Sequence, residues 1–347
     1  MSDDPRLVAL GRAVPERSYS QAELYRHNPW AQSPLLDRLF LESPIATRHL
    51  FVPPDFWHAP RTVGETNAAW REGALALGGA ALEDALGRAA LPPGRVDFLG
   101  VTTVTGYATP GLDLLLAQRH GLRPTLQRAH FNNIGCHAAV PLLRTAADHA
   151  ARHPGANAVA LAVEVCSACF SPAADDPQSQ VAAALFADGA AAAVVSTTGA
   201  GPRLIDFASS FDFAHLDALG FDLTTDGFRI VLDPRVPDHV GAGIASLVAD
   251  LLQRHRLSPS DIDTWCFHPG GSRVLDAVQR GLALEETAMR HSRRVLRRYG
   301  NMSSPSVLFV LAEALASAPP PPDRWMVLAA FGPGLGIEAA LLRTDAP

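Results

Sequence analysis

Three motifs place a histidine, an asparagine and a cysteine where they could act together on a thioester. His268 lies in the run 265–271, in which apolar residues give way to Pro-Gly-Gly, so a strand would deliver it to the start of a helix. Asn301 follows Gly300 in a tight turn further along the chain. Cys136 follows Gly135, between an extended segment and a predicted helix.

The three side chains have complementary chemistry if they converge. The partial positive charge at a helix N-terminus lowers a thiol pKa, and a neighbouring histidine lowers it further by forming a thiolate–imidazolium pair. Such a thiolate could take an acyl group from a thioester. His268 and Asn301 could both donate to one carbonyl oxygen and stabilise the enolate that forms when a malonyl thioester loses carbon dioxide. Taken alone, Cys136 could equally be a buried structural cysteine.

The composition excludes several other functions. The 347 residues are 48% apolar and 18% charged, enough for one large core or two related ones. A net charge of −6 makes nucleic acid an unsuitable partner, and no apolar stretch reaches membrane-spanning length. All 29 basic residues are arginine, which excludes a lysine Schiff base. The acidic N-terminus lacks the features of a secretory signal, so we expect a cytoplasmic protein whose four cysteines form no disulfide framework.

The elements that would position these residues alternate between strands and helices, which predicts an α/β protein with two similar halves. We predict strands at 98–104, 128–133, 158–165, 190–196, 204–208, 265–268, 326–330 and 337–342. We predict helices at 65–90, 112–120, 138–152, 240–255, after Gly271 and after Asn301. For residues 1 to 60 we predict an irregular, partly helical arm, and for residues 209–233 we predict loops. We divide the halves into 1–201, with the cysteine, and 202–347, with the histidine and asparagine.

Five runs of sequence resemble the chalcone synthase-like type III polyketide synthases, bacterial members in particular. They are residues 105–111, 185–190, 265–271, 299–304 and 331–335, and the similarity extends over 98–343. The resemblance implies a thiolase fold of five layers, α-β-α-β-α, and a homodimer. It also implies that Cys136 is the nucleophile, that His268 and Asn301 complete a triad, and that CoA thioesters are the substrates without another cofactor or a metal.

The resemblance further implies residues that shape the substrate cavity and bind CoA. Phe186 and Phe228 match the phenylalanines at the junction between CoA tunnel and cavity. The other expected cavity residues are Thr109, Cys166, Cys169, Ala182, Leu219, Ser303, Gly332, Pro333 and Gly334. Those expected to bind CoA are Arg48, Gly270, Gly271 and Arg273.

Three features limit this interpretation or have a structural alternative. The family usually continues its catalytic turn as Gly-Cys-x-Gly-Gly, whereas Cys136 is followed here by His137-Ala138-Ala139, and we expect His137 to point away from the cavity. The CxxC pair Cys166 and Cys169 lacks the second ligand pair that zinc would need, so we expect it to be structural or to line the cavity. Glu164 and Asp188 are isolated acids for which we expect structural hydrogen bonds.

We therefore predict decarboxylative condensation of an acyl-CoA starter with malonyl-CoA, followed by closure to a pyrone, resorcinol or phloroglucinol-type ring. A single-round ketosynthase of the β-ketoacyl-carrier-protein synthase III type is the alternative, and a requirement for an acyl carrier protein would favour it. A non-catalytic acyl-binding homologue is the third hypothesis, and only the altered turn after Cys136 favours it.

Overall fold

The structure is a computed structural model, which describes residues 4–169, 176–224, 227–317 and 322–345. Its strands are β1 (Arg6–Ala13), β2 (Ser18–Ser20), β3 (Thr47–His49), β4 (Phe98–Thr103), β5 (Gln127–Asn132), β6 (Ala158–Val165), β7 (Asp188–Ser196), β8 (Arg203–Phe211), β9 (Leu219–Thr224), β10 (Gly227–Leu232), β11 (Ile262–Phe267), β12 (Trp325–Gly332) and β13 (Gly336–Arg343). Its α-helices are α1 (Gln21–His27), α2 (Pro34–Phe40), α3 (Val63–Arg88), α4 (Leu112–Arg119), α5 (Ala139–Arg152), α6 (Pro177–Leu185), α7 (Val236–Arg254), α8 (Ser272–Gly281), α9 (Arg290–Tyr299) and α10 (Ser306–Ser317). Short 3₁₀ turns include Cys166–Cys169, Phe213–Ala218 and Pro333–Leu335.

Nine strands form one sheet in which two sets repeat the same pattern. The first set runs β1-β7-β6-β4-β5 and the second runs β8-β13-β12-β11. In both sets two antiparallel pairs are followed by parallel pairing. The sets meet only where Arg6 of β1 pairs with Arg203 of β8. The repeated pattern confirms the prediction of two similar halves.

Three apolar clusters, separated by the two strand sets, define the layers. The central cluster contains α5 and α10, whose buried side chains contact strands of both sets. The second lies between α7, α8 and the outer face of the second set, and the third lies between α3, α4 and the outer face of the first set. Alternate residues of β6 and β12 point into different clusters, as strands covered on both faces require. This arrangement confirms the five-layered α-β-α-β-α thiolase fold.

The N-terminal region differs from the sequence prediction. Instead of an irregular arm, β1 lies inside the sheet between β7 and β8, and α1 and α2 are held by Ser20 and Ser33 at their N-caps. Residues 219–224 and 227–232, predicted as loops, form the antiparallel pair β9–β10 outside the main sheet, and residues 225–226 lie outside the described ranges. Helices α6 and α9 were also missing from the prediction.

Two further points concern the whole chain. Among the described residues, no helix combines the length and the apolar character that crossing a bilayer would need. The division at residues 201 and 202, which falls between β7 and β8, stays a prediction.

Candidate active site

Cys136 lies in the turn that precedes α5, buried at 7% exposure. Its thiol accepts a hydrogen bond from the Ser303 hydroxyl, with 3.3 Å between Oγ and Sγ. Burial raises the pKa of this thiol to about 12; the Ser303 hydrogen bond opposes the rise and the charge of Glu164 adds to it. This shift is opposite in direction to the expected lowering of the pKa, because burial removes hydration from the thiolate.

His268 directly follows β11 and is almost completely buried. Its backbone N–H donates to the carbonyl of Ala329 in the neighbouring strand, and the edge of its ring meets Phe331 at 5.1 Å between centroids. Neither ring nitrogen has a hydrogen-bond partner within the described residues. Burial lowers the pKa of His268 to about 3, a value to which the charge of the nearby His137 also contributes. The imidazole is thus neutral and free to bond to a ligand.

Asn301 is fixed by its backbone and by its own side-chain oxygen. Gly300, which ends α9 at φ +71°, lets the chain turn so that the Asn301 N–H donates to Leu185 O at 3.0 Å. The side-chain oxygen accepts from the Ser303 N–H at 2.8 Å. Since this contact occupies Oδ1, the two N–H bonds of Nδ2 remain as donors.

A buried carboxylate supports the turn that carries Asn301 and Ser303. Glu164 accepts hydrogen bonds from the Ser304 hydroxyl at 2.7 Å and from the Thr105 hydroxyl at 2.8 Å. Burial raises the pKa of Glu164 to about 7, although these hydrogen bonds act to lower it. Asp188 similarly accepts from Ser167 N at 2.8 Å. The predicted structural roles of both acids are confirmed.

The three predicted triad residues line one cavity of about 460 Å³, called the catalytic cavity below. Cys136 comes from the first half of the chain, and His268 and Asn301 come from the second. Other predicted residues on its wall are Phe186, Leu219, Gly270, Gly271 and Arg273. Arg38, Glu42 and Arg273 are exposed and form its rim.

A smaller cavity of about 110 Å³, called the inner cavity, lies beside the first. Its wall includes the predicted residues Cys166, Cys169, Ala182, Phe228 and Ser303. Phe186 and Ile230 line both cavities, so they stand at the junction. Cys169 donates from its thiol to Thr105 O at 3.1 Å, and all four cysteines are free.

Four predicted cavity residues lie elsewhere. Thr109 is exposed, donates to the Tyr107 hydroxyl and precedes a cis peptide bond, so it lines neither cavity within this chain. Gly332, Pro333 and Gly334 also lie outside both walls. Pro333 packs against Gly135 instead, where an added Cβ would lie 2.5 Å from the proline ring. This loop therefore supports the turn of Cys136.

His137 points away from both cavities, as expected. Its ring occupies the space left by two glycines: a Cβ on Gly332 would lie 2.2 Å from Nδ1, and one on Gly336 would lie 2.8 Å from Nε2. Burial lowers the pKa of His137 to about 4. The altered sequence after Cys136 is thus accommodated beneath the catalytic turn.

Arg48 lies on the wall of the inner cavity and not at the rim of the catalytic cavity, in contrast to its expected contact with CoA. It is 1% exposed, and its guanidinium donates to Gln21 Oε1 at 2.9 Å and to Phe186 O at 2.8 Å. Burial lowers its pKa to about 9, opposed by the charge of Asp188. These contacts give Arg48 a structural position.

Sequence reasoning missed Arg38. Helix α2 presents this side chain at the rim of the catalytic cavity, and no described acid lies within ion-pair distance of it. The signal available was Ser33-Pro34, an N-cap followed by proline that marks the start of a short helix.

Comparisons with known proteins agree with this geometry. The sequence matches the family description "Chalcone and stilbene synthases, N-terminal domain" over residues 58–202 and the corresponding C-terminal domain over 214–345. It is 37% identical to a 1,3,6,8-tetrahydroxynaphthalene synthase of Streptomyces peucetius subsp. caesius, over 97% of this chain and 92% of that one. It is 36% identical to a 3,5-dihydroxyphenylacetyl-CoA synthase of Amycolatopsis orientalis, over 99% and 94%. The crystal structure of the 1,3,6,8-tetrahydroxynaphthalene synthase of Streptomyces coelicolor, a bacterial type III polyketide synthase, superimposes with a TM-score of 0.93 at 29% identity, over 99% of this chain and 100% of that one.

A thiolase fold with a cysteine, a histidine and an asparagine around one buried cavity defines an acyl-condensing enzyme. Within that class, the chain belongs to the chalcone and stilbene synthase family and is a type III polyketide synthase. The comparisons do not favour the single-round ketosynthase.

Proposed function

We propose that Cys136 carries the growing acyl chain while His268 and Asn301 hold the thioester oxygen of malonyl-CoA. One observation carries this proposal: the catalytic cavity brings together a thiol, a neutral imidazole without hydrogen-bond partners and an amide whose free donors are set by Ser303. A buried polar group without a partner costs about 1–3 kcal/mol, so the His268 ring is built for a ligand.

Loading begins with the proton of the Cys136 thiol. The proton passes to the neutral imidazole of His268 as the sulfur attacks the acyl-CoA carbonyl, so that His268 acts as the general base. A carbon–sulfur bond forms, and the tetrahedral oxyanion collapses. CoA leaves as the thiol, taking the proton back from His268.

Extension uses the same two donors on a malonyl thioester. The N–H of neutral His268 and the Nδ2 of Asn301 bond to its carbonyl oxygen, so the negative charge that develops when carbon dioxide leaves is stabilised there. The enolate carbon then attacks the acyl group on Cys136. A carbon–carbon bond forms, and the Cys136 sulfur leaves.

We place the CoA phosphates at the rim, between Arg38 and Arg273. Both side chains are exposed, line the catalytic cavity and make no ion pair within the described ranges. Arginine presents a planar fork that matches phosphate oxygens. Gly270 and Gly271 offer backbone beside Arg273 for the pantetheine arm.

The starter unit is a short acyl group. The inner cavity, at about 110 Å³, is well below the roughly 300–1,000 Å³ that holds drug-sized ligands. Two relatives are named for small hydroxylated aromatic products, a tetrahydroxynaphthalene and a dihydroxyphenylacetyl-CoA. We therefore propose repeated malonyl extension and closure to an aromatic or pyrone ring.

Several wider expectations belong to the same proposal. It requires no cofactor beyond the CoA thioesters, and the free cysteines suit a reducing cytoplasm. A homodimer, which the family resemblance implies, belongs to the same proposal. An acyl carrier protein is the alternative donor of the acyl group.

The proposal is tested by carbon dioxide release from malonyl-CoA in the wild type, His268→Ala and Asn301→Asp. Loss of one oxyanion donor is expected to slow release by about 10²–10³-fold. Asn157→Asp is the matched control, since Asn157 lies outside both cavity walls and bonds to Arg95 O. Release at the wild-type rate in both triad variants would overturn the proposal. Products limited to one extension, formed only with a carrier protein, would favour the single-round ketosynthase.

A further inference from the structure

Two histidines and an aspartate meet on the outer side of the second strand set, and none of the three lines the catalytic cavity. Asp212 precedes the 3₁₀ turn Phe213–Ala218, His215 lies within that turn, and His239 lies in the first turns of α7. One donor atom from each lies within 4.8 Å of the other two. Asp212 Oδ2 is 2.8 Å from His215 Nδ1, and the two imidazole rings are 4.1 Å apart between centroids.

The chemistry of these donors suits a transition metal. Asp212 offers a carboxylate oxygen, and His215 and His239 each offer an imidazole nitrogen. The His239 ring makes no hydrogen bond within the described ranges, so both of its nitrogens are open to a ligand. Imidazole nitrogens favour zinc-class ions, whereas magnesium and calcium prefer oxygen ligands.

We propose that Asp212, His215 and His239 form a binding site for a divalent metal ion of the zinc class. The site has three protein ligands, and water completes the tetrahedral coordination. The ligands come from two elements that are distant in sequence, so the ion ties the Phe213–Ala218 turn to α7.

The Phe213–Ala218 turn lies beside residues of the candidate active site, so an ion bound there would affect the enzyme. Leu216 faces Gly334, where an added Cβ would lie 3.8 Å from Leu216 Cδ2. Leu219, directly after the turn, lines the catalytic cavity. A bound ion therefore steadies one wall of the cavity and the loop that supports the turn of Cys136. This inference does not depend on the proposed reaction.

A second group, His27, Asp55 and His58, is less suitable. All three side chains are about half exposed or more, and the ring-to-carboxylate distances are 3.6 and 3.9 Å. Ligands this exposed must be ordered on binding, which costs side-chain entropy. This group is the competing outcome of the test.

The test uses full-length protein stripped of metal and titrated with Co²⁺, followed by optical absorption, and with Zn²⁺ in equilibrium dialysis. We expect one ion per chain and a tetrahedral cobalt spectrum without a thiolate charge-transfer band. The affinity for Co²⁺ and Zn²⁺ should fall in His215→Ala and His239→Ala. The loss should be at least as large as the roughly tenfold to hundredfold loss that follows mutation of residues next to metal ligands. His239→Asn is the second variant should the alanine variant fail to fold.

His255→Ala is the matched control. His255 is a partly buried histidine that contacts a single carboxylate, Asp206 Oδ2 at 2.8 Å, and belongs to neither three-residue group. We expect it to bind Co²⁺ like the wild type. Unchanged affinity in both His239 variants, loss of binding in His58→Ala, or a thiolate band would each overturn the proposal.

Discussion

Replacing Arg48 by methionine tests whether this residue holds the fold or binds CoA. In the structure its guanidinium donates to Gln21 Oε1, to Ala183 O at 2.5 Å and to Phe186 O. Methionine keeps much of the side-chain volume but donates nothing. Three buried acceptors would lose their donor, and the charge of Asp188 would lose its compensating partner.

The magnitude follows from these contacts. Leaving a buried acceptor without its donor costs about 1–3 kcal/mol, so losing the contacts with Gln21 and Phe186 costs about 2–6 kcal/mol. That is a large part of the roughly 5–15 kcal/mol that stabilises a typical protein. We therefore expect Arg48→Met to lower the free energy of unfolding by about 2–6 kcal/mol, measured from urea midpoints with both circular dichroism and tryptophan fluorescence.

Arg38→Met and Arg273→Met are the matched controls, since both side chains are exposed at the rim. Surface changes of this kind stay within about 0.5 kcal/mol, so these variants should keep the wild-type urea midpoint and raise the KM for acyl-CoA. Folded Arg48→Met should keep its KM. A stable Arg48→Met enzyme with a raised KM would refute the buried, structural position of Arg48 and return it to the CoA site.

Two other predictions concern the catalytic turn. Gly336→Ala should lower the free energy of unfolding by about 1–3 kcal/mol, because the added Cβ would lie 2.8 Å from His137 Nε2. In a double-mutant cycle, adding His137→Ala should restore part of this loss. Additive losses would contradict this packing. The rate at which iodoacetamide alkylates Cys136 should rise continuously from pH 7 to pH 10. Burial raises the thiol pKa to about 12, and only the thiolate reacts. A rate that reaches a plateau near neutral pH would instead indicate a thiolate–imidazolium pair with His268.

The sequence predicted most of the layers and the three triad residues because both depend on local pattern. Strands such as β6 are continuous apolar runs, and Cys136, His268 and Asn301 stand where such a strand or a helix meets a glycine turn. Strand β1 escaped prediction, since its mostly half-buried residues lack a clear period and it is held by pairing with distant β7.

Properties set by tertiary packing could not be predicted. The thiol pKa of Cys136 was expected to fall from its place before α5, but burial by distant residues raises it. Arg48 was placed at the CoA site because it matches the family's basic cluster, whereas its partners Gln21 and Phe186 come from other parts of the chain. The approach of His215 to His239 likewise depends on how α7 packs.

The central claim is that Cys136 carries the acyl chain, and the mass of the acylated protein tests it most directly. Wild-type enzyme is mixed with a short acyl-CoA, quenched in acid and digested, and the cysteine peptides are mapped by mass spectrometry. We predict an acyl group on the Cys136 peptide, and no adduct in Cys136→Ala. An adduct on Cys166 or Cys169, or polyketide formation by Cys136→Ala, would contradict the account.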